Sequence, residues 1–148
     1  MAHPRRVVLI GAALALLVVV VAVAGLAIRR QLRYGTIADQ ETASITVDVG
    51  DRFSLRVPDR GPSVGDRWSA SADPADLVEQ VGDELVSDSL GDRLFGPALG
   101  GGGGFRFFRF DAKQAGRATI TLSNCFQGCH NERTRSQSTT TVWTVTIS

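Results

Sequence analysis

The chain has 148 residues, 43% hydrophobic and 21% charged, which excludes a disordered tail and leaves room for one domain beyond an apolar N-terminal stretch. Its charge is uneven: five of the 16 basic residues precede Tyr34, while all 15 acidic residues follow Ala38. The remainder holds 11 basic against 15 acidic groups, a net −4 that argues against a nucleic-acid-binding face.

Residues 7–28 form an uninterrupted apolar run, VVLIGAALALLVVVVAVAGLAI. At about 1.5 Å per residue such a helix crosses a hydrocarbon core of about 30 Å. The competing reading is a cleaved signal peptide, because Ala22-Val23-Ala24 before Gly25 has the small-x-small pattern of a cleavage site. The run continues past that site into Arg29-Arg30, which favours an uncleaved anchor over residues 7–28. Arg flanks both ends, two before and three after, so positive charge alone slightly favours the C-terminal side inside. The only cysteine pair, Cys125 and Cys129, suits a disulfide and an oxidising compartment. The domain is therefore expected outside the cytoplasm, membrane-anchored, or secreted if the segment is cleaved.

Residues 29–43 read as a polar linker, and from Ser44 onward the hydrophobic period is two. Ile45, Val47 and Val49 alternate with polar residues, Gly50-Asp51 turns, and Phe53, Leu55 and Val57 predict a hairpin partner. After a break at residues 58–66, Trp68 opens a short strand. Residues 77–89 predict two strands separated by Gly82-Asp83, with room for one helical turn over 75–80. Residues 96–104 form a glycine-rich loop. Beyond it Phe108, Phe110 and Ala112 share one face, Ala118, Ile120 and Leu122 another. A polar loop then leads to Trp143, Val145 and Ile147 on a closing strand. About seven short strands in 44–148 predict an all-β, antiparallel β-sandwich behind one N-terminal transmembrane helix.

Two His, one Tyr, one Lys and two Cys leave little for catalysis. Gly100 to Gly104 lacks the Lys-Ser/Thr and helix of a phosphate loop, since Phe105 and a strand follow. Cys125, Cys129 and His130 have no fourth metal ligand nearby, so a disulfide closing a small ring with Phe126 presented at its tip is the better reading. Nothing orients His130 for a Cys–His pair. Asp73, Asp76, Asp83, Glu84 and Asp88 read as solvated surface, and Trp68 and Trp143 as core. No metal, cofactor or catalytic residue is assigned.

In order, these features resemble the chagasin-type inhibitors of papain-like cysteine proteases. The resemblance rests on Val49-Gly50-Asp51, on Gly61-Pro62-Ser63-Val64-Gly65 followed after two residues by Trp68, and on Gly101 to Gly104 followed after eight residues by Lys113-Gln114-Ala115-Gly116. The family's first inhibitory loop reads Asn-Pro-Thr-Thr-Gly, with a Trp at the same gap. Its second reads Gly-x-Gly-Gly, at the same distance before a turn ending Ala-Gly.

The resemblance implies a non-enzymatic, immunoglobulin-like β-sandwich whose three loops form a wedge at one end. The first loop covers the protease's catalytic cysteine and the others grip the cleft walls. Carried over, the protease-contacting residues are Pro62, Ser63, Val64 and Gly65 in the first loop and Gly101, Gly103 and Gly104 in the second. In the third loop, Phe126, Gln127 and Gly128 stand where the family has Arg-Pro-Trp. The implied partner is a papain-like cysteine protease; the alternative is a non-inhibitory cell-envelope binding or adhesion module on the same sandwich.

Overall fold

The structure, a computed structural model, describes residues 4–87, 89 and 103–148, with side chains from residue 14. It divides into two units, residues 1–33 and 34–148. The first is a single helix, α1 (Pro4–Tyr34), whose last residue belongs to the second unit. By length and composition it is a helix able to cross a membrane.

The second unit holds eight strands among the described residues: β1 (Thr36–Asp39), β2 (Ser44–Val47), β3 (Arg52–Asp59), β4 (Trp68–Asp73), β5 (Val78–Ser87), β6 (Gly104–Ala112), β7 (Gly116–Asn124) and β8 (Thr139–Ile147). They form two four-stranded sheets, ordered β1-β3-β6-β5 and β2-β8-β7-β4. β1 runs parallel to β3 and β2 parallel to β8; the other pairs are antiparallel. The sandwich is thus mixed, not wholly antiparallel.

The two-residue period does what alternation requires of a strand with one buried face. Phe53, Leu55 and Val57 share the buried face of one sheet with Phe108, Phe110 and Ala112, against Ala118, Ile120, Leu122, Trp143, Val145 and Ile147 of the other; all are buried. The rings of Phe53 and Phe110 stack at 5.4 Å between centroids. Trp143 also ties the sheets together, its Nε1–H donating to the Asp39 carbonyl at 3.0 Å. Trp68 is half-buried and packs on the rim of this core.

Four expectations are corrected. The segment over 29–43 is not all linker, because Thr36–Asp39 adds an edge strand to β3 and buries Ala38. β2 and β3 do not pair as a hairpin: the turn at Val49–Asp51 carries the chain from one sheet to the other, and Val49 stays 49% exposed. Residues 77–89 hold one strand, in which a bulge between Gln80 and Gly82 replaces the expected break. The polar loop before β8 contains a short helix, α2 (Glu132–Ser136), capped reciprocally by Asn131 and Thr134.

Register fixes which loops lie together. Asp59 pairs with Gly104 and Gly104 with Ser87, so the loops after β3 and β5 leave the same end of the first sheet. Trp68 pairs with Asn124 and Asn124 with Thr139, placing the loops before β4 and after β7 at one end of the second.

Candidate functional site

Two loops and the described root of a third, Gly103 and Gly104, meet at that end. The first spans β3 to β4. Two overlapping turns shape its tip, with Val64 N–H donating to the Gly61 carbonyl at 3.2 Å and Gly65 N–H to Pro62 at 3.1 Å. Pro62, Ser63 and Val64 are exposed, while Gly61 is buried beneath them. Gly65 has a φ of +102°, and a Cβ there would lie 2.7 Å from Gln127 Cγ, so both backbone and neighbour demand glycine.

Two buried carboxylates hold the base of this loop. Asp59 Oδ1 accepts from the Gly61 N–H at 2.7 Å, and its Oδ2 accepts from Arg106 Nε at 2.5 Å. Asp66 accepts a fork from Arg60, Nε at 3.0 Å and Nη2 at 2.5 Å, as well as the Arg60 main-chain N–H at 3.0 Å and Asn124 Nδ2 at 2.9 Å. Burial works against the charge of Asp66, but the bonds from Arg60 and Asn124 outweigh it and hold the carboxyl below its usual range.

Of the second loop, Gly103 and Gly104 are described and Gly101 lies outside the described residues. Gly103 is exposed, and a Cβ on it would lie 3.4 Å from the Asp59 carbonyl oxygen, against the root of the first loop. A Cβ on Gly104 would lie 2.2 Å from the Val86 carbonyl oxygen. Close packing within the sheet therefore accounts for that glycine.

The third loop is closed by the Cys125–Cys129 disulfide, as expected from the sequence. Residues Phe126–Cys129 make a short 3-10 turn in which Gln127 and Gly128 have positive φ. Gln127 N–H donates to the Gly65 carbonyl at 2.8 Å and Cys125 N–H to Arg67 at 2.8 Å, so this loop is bonded along the C-terminal limb of the first loop. Gln127 is exposed and Gly128 partly so. Phe126 departs from expectation. Its ring is only 6% exposed and lies under the Arg60 guanidinium, 4.4 Å from carbon to centroid. The loop is anchored by this ring instead of presenting it, because an aromatic face gains more from the apolar interior and the overlying cation than from water.

The described parts of the three sequence-predicted segments thus adjoin one another. The residues that bond them together, Asp59, Arg60, Asp66, Arg106 and Asn124, are absent from the sequence-based site. Asp83, read as solvated, pairs with Arg106. Among the described residues no group of His, Cys, Asp and Glu has the arrangement of a metal site.

The profile of the family described as chagasin family peptidase inhibitor I42 matches residues 46–147. The chain belongs to the chagasin family. Its class is accordingly that of a peptidase inhibitor and not of an enzyme. Solved structures share the fold, EhICP2 and amebosin among them. The cysteine protease inhibitor EhICP2 of Entamoeba histolytica superposes with a TM-score of 0.58 at 16% identity, over 76% of this chain and 95% of that one. The solution structure of amebosin gives 0.56 at 18% identity, over 76% and 97%. No curated protein matches the chain by sequence.

Proposed function

We propose that this chagasin-family domain is anchored outside the cytoplasm by α1 and blocks papain-like cysteine proteases by inserting its loop end into their active-site cleft. The observation that carries the reading is the convergence of an exposed, narrow tip (Pro62, Ser63, Val64) with Gly103 on one flank and Gln127-Gly128 on the other. Pro62 to Val64 presents small side chains on a loop whose backbone is held from below, the form needed to cover a catalytic cysteine without offering a scissile bond in an extended strand. Gly101, which the family pattern includes, and Gly104 complete the second loop in this reading; Phe126 acts from beneath, through Gln127 and Gly128. EhICP2 is itself a cysteine protease inhibitor, in keeping with this class of target.

The anchor reading rests on the length and apolarity of α1, and the extracytoplasmic side on the disulfide. The chain enters the sandwich at Thr36, in register with Phe53, whereas the first loop leaves from Asp59. Six residues of strand at about 3.3 Å each separate the two, about 20 Å. Within the sandwich, the loops are thus at the end opposite Thr36.

Titration of the full chain, held in detergent micelles, against a panel of papain-like proteases tests the proposal. Competitive inhibition is the expected result. No inhibition across a broad panel would overturn it in favour of an envelope binding module on the same sandwich.

A further inference from the structure

The side chains of Asp59 and Asp66 are 0% and 2% exposed, yet neither lies in the hydrophobic core. Both sit under the loop end. A carboxylate is buried at a cost that only full pairing offsets, and an apolar side chain would fill the same space without that cost. What these two gain over an apolar filler is direction. Asp59 joins the first loop's Gly61 N–H to Arg106, two residues beyond Gly104, where the second loop returns to β6. Asp66 joins Arg60, at the other root of the first loop, to Asn124, the residue before the third loop's Cys125. Arg60 completes the set, its guanidinium forked onto Asp66 and laid over Phe126.

Each carboxylate therefore bonds the first loop and the strand end at the root of another loop at once. Gly61 and Gly65 both have positive φ and no side chain to hold them, so without these bonds the tip has much backbone freedom to lose on binding.

We propose that Asp66 and Asp59, with Arg60, are positioning residues that preset the first loop, the third loop and the Gly103–Gly104 root of the second as one rigid binding surface, so that affinity for the protease depends on two carboxylates buried beneath that surface. This rests on the inhibitor reading above, but the rigidity it requires is measurable without a protease.

The test uses the full chain in micelles, with Asp66→Asn and Arg60→Lys as variants. Lys keeps the charge but loses the fork and the flat contact with Phe126. Amide hydrogen exchange is followed at residues 61–65 and 125–129 and, as reference, along β7 and β8, beside the inhibition constant for papain. In each variant exchange in the two loops should rise while the strand amides keep their protection. The inhibition constant should rise about tenfold or more, the cost of re-ordering a few loop residues on binding.

If Asp66→Asn fails to fold, Arg60→Lys carries the test. Unchanged loop exchange in the folded variants overturns the proposal. So does protection lost evenly over loops and strands, which marks a general stability role. Loosened loops with an unchanged inhibition constant overturn the link to binding. If the parent chain inhibits nothing, the inhibitor reading fails, while local loosening of the loops would still support the positioning role.

Discussion

The main-chain N–H of Gln127 donates to the carbonyl of Gly65 at 2.8 Å, so the third loop extends the first by a backbone bond and the two move together. Gly65 is confined from two sides, by a φ of +102° and by Gln127 Cγ. Gly65→Ala should therefore lower stability by about 1–3 kcal/mol, the usual cost of holding a non-glycine residue in such a conformation. It should also weaken inhibition, because the new Cβ pushes Gln127 aside. Urea unfolding and an inhibition titration on the same sample measure both. A variant as stable as the parent would mean that the turn relaxes freely.

Trp143 fills the centre of the sandwich, fully buried, and bonds across to the Asp39 carbonyl on the edge strand β1. Trp143→Ala removes both and should cost about 3–5 kcal/mol. Trp143→Phe keeps much of the volume and loses the bond, so it should cost less. The shift in urea midpoint ranks the two; equal losses would contradict the separate contribution of ring volume.

The strands most legible in the sequence are those whose alternate residues are large and apolar, β3, β6, β7 and β8, because a period of two reports directly on a buried face. β1 carries no such signal, since only Ala38 of its four residues is buried. A β2–β3 hairpin is the wrong inference because alternation reports that Val47 and Phe53 are inside, not that they belong to opposite sheets. In the candidate site, Gly61 to Gly65 is readable as a turn. Its support is not: Asp59 and Arg106 lie 47 residues apart and meet only through the pairing of β3 with β6. Arg60 and Asp66, flanking the loop six apart, are the one part of that support visible in the local sequence. Phe126 reads as a tip residue because ring closure by Cys125 and Cys129 fixes the loop's size without fixing which side faces in.

Acid should weaken the domain. Asp66, despite burial, is held below its usual range by Arg60 and Asn124, and Asp111 is held below by its hydrogen bond from Arg52. A carboxyl depressed in the folded state contributes stability above its unfolded value, about 3.9 for Asp. That contribution is lost as pH falls through the lower folded value. The urea midpoint should accordingly fall as pH drops below about 4, and Asp66→Asn, starting from a lower midpoint, should fall less steeply. An acid limb identical in parent and variant would remove Asp66 from the account.

Reduction of Cys125–Cys129 should act on the third loop first. By the chain-entropy relation a ring this short stabilises by about 2 kcal/mol, and it holds Phe126 under Arg60 and Gln127 against Gly65. Cys129→Ser should leave a folded sandwich, with strand circular dichroism unchanged, and a raised inhibition constant. Inhibition indifferent to this substitution would place the binding energy in the first two loops.

The first loop's tip gives the sharpest separation of binding from folding. Pro62, Ser63 and Val64 are exposed, Val64 by 41%, while the bonds that shape the loop are made by main-chain groups and by the buried carboxylates beneath. Those bonds survive an exchange of tip side chains. Ser63→Arg combined with Val64→Glu should change stability by no more than about 0.5 kcal/mol, as for other exposed loop positions. The same change puts two bulky charges where a protease cleft would have to close over small side chains, and desolvating them there is costly. Inhibition should be abolished. Stability is read from the urea midpoint and inhibition from a competitive titration against papain. A doubly substituted chain that still inhibits with the parent's constant would show that this tip does not enter the cleft.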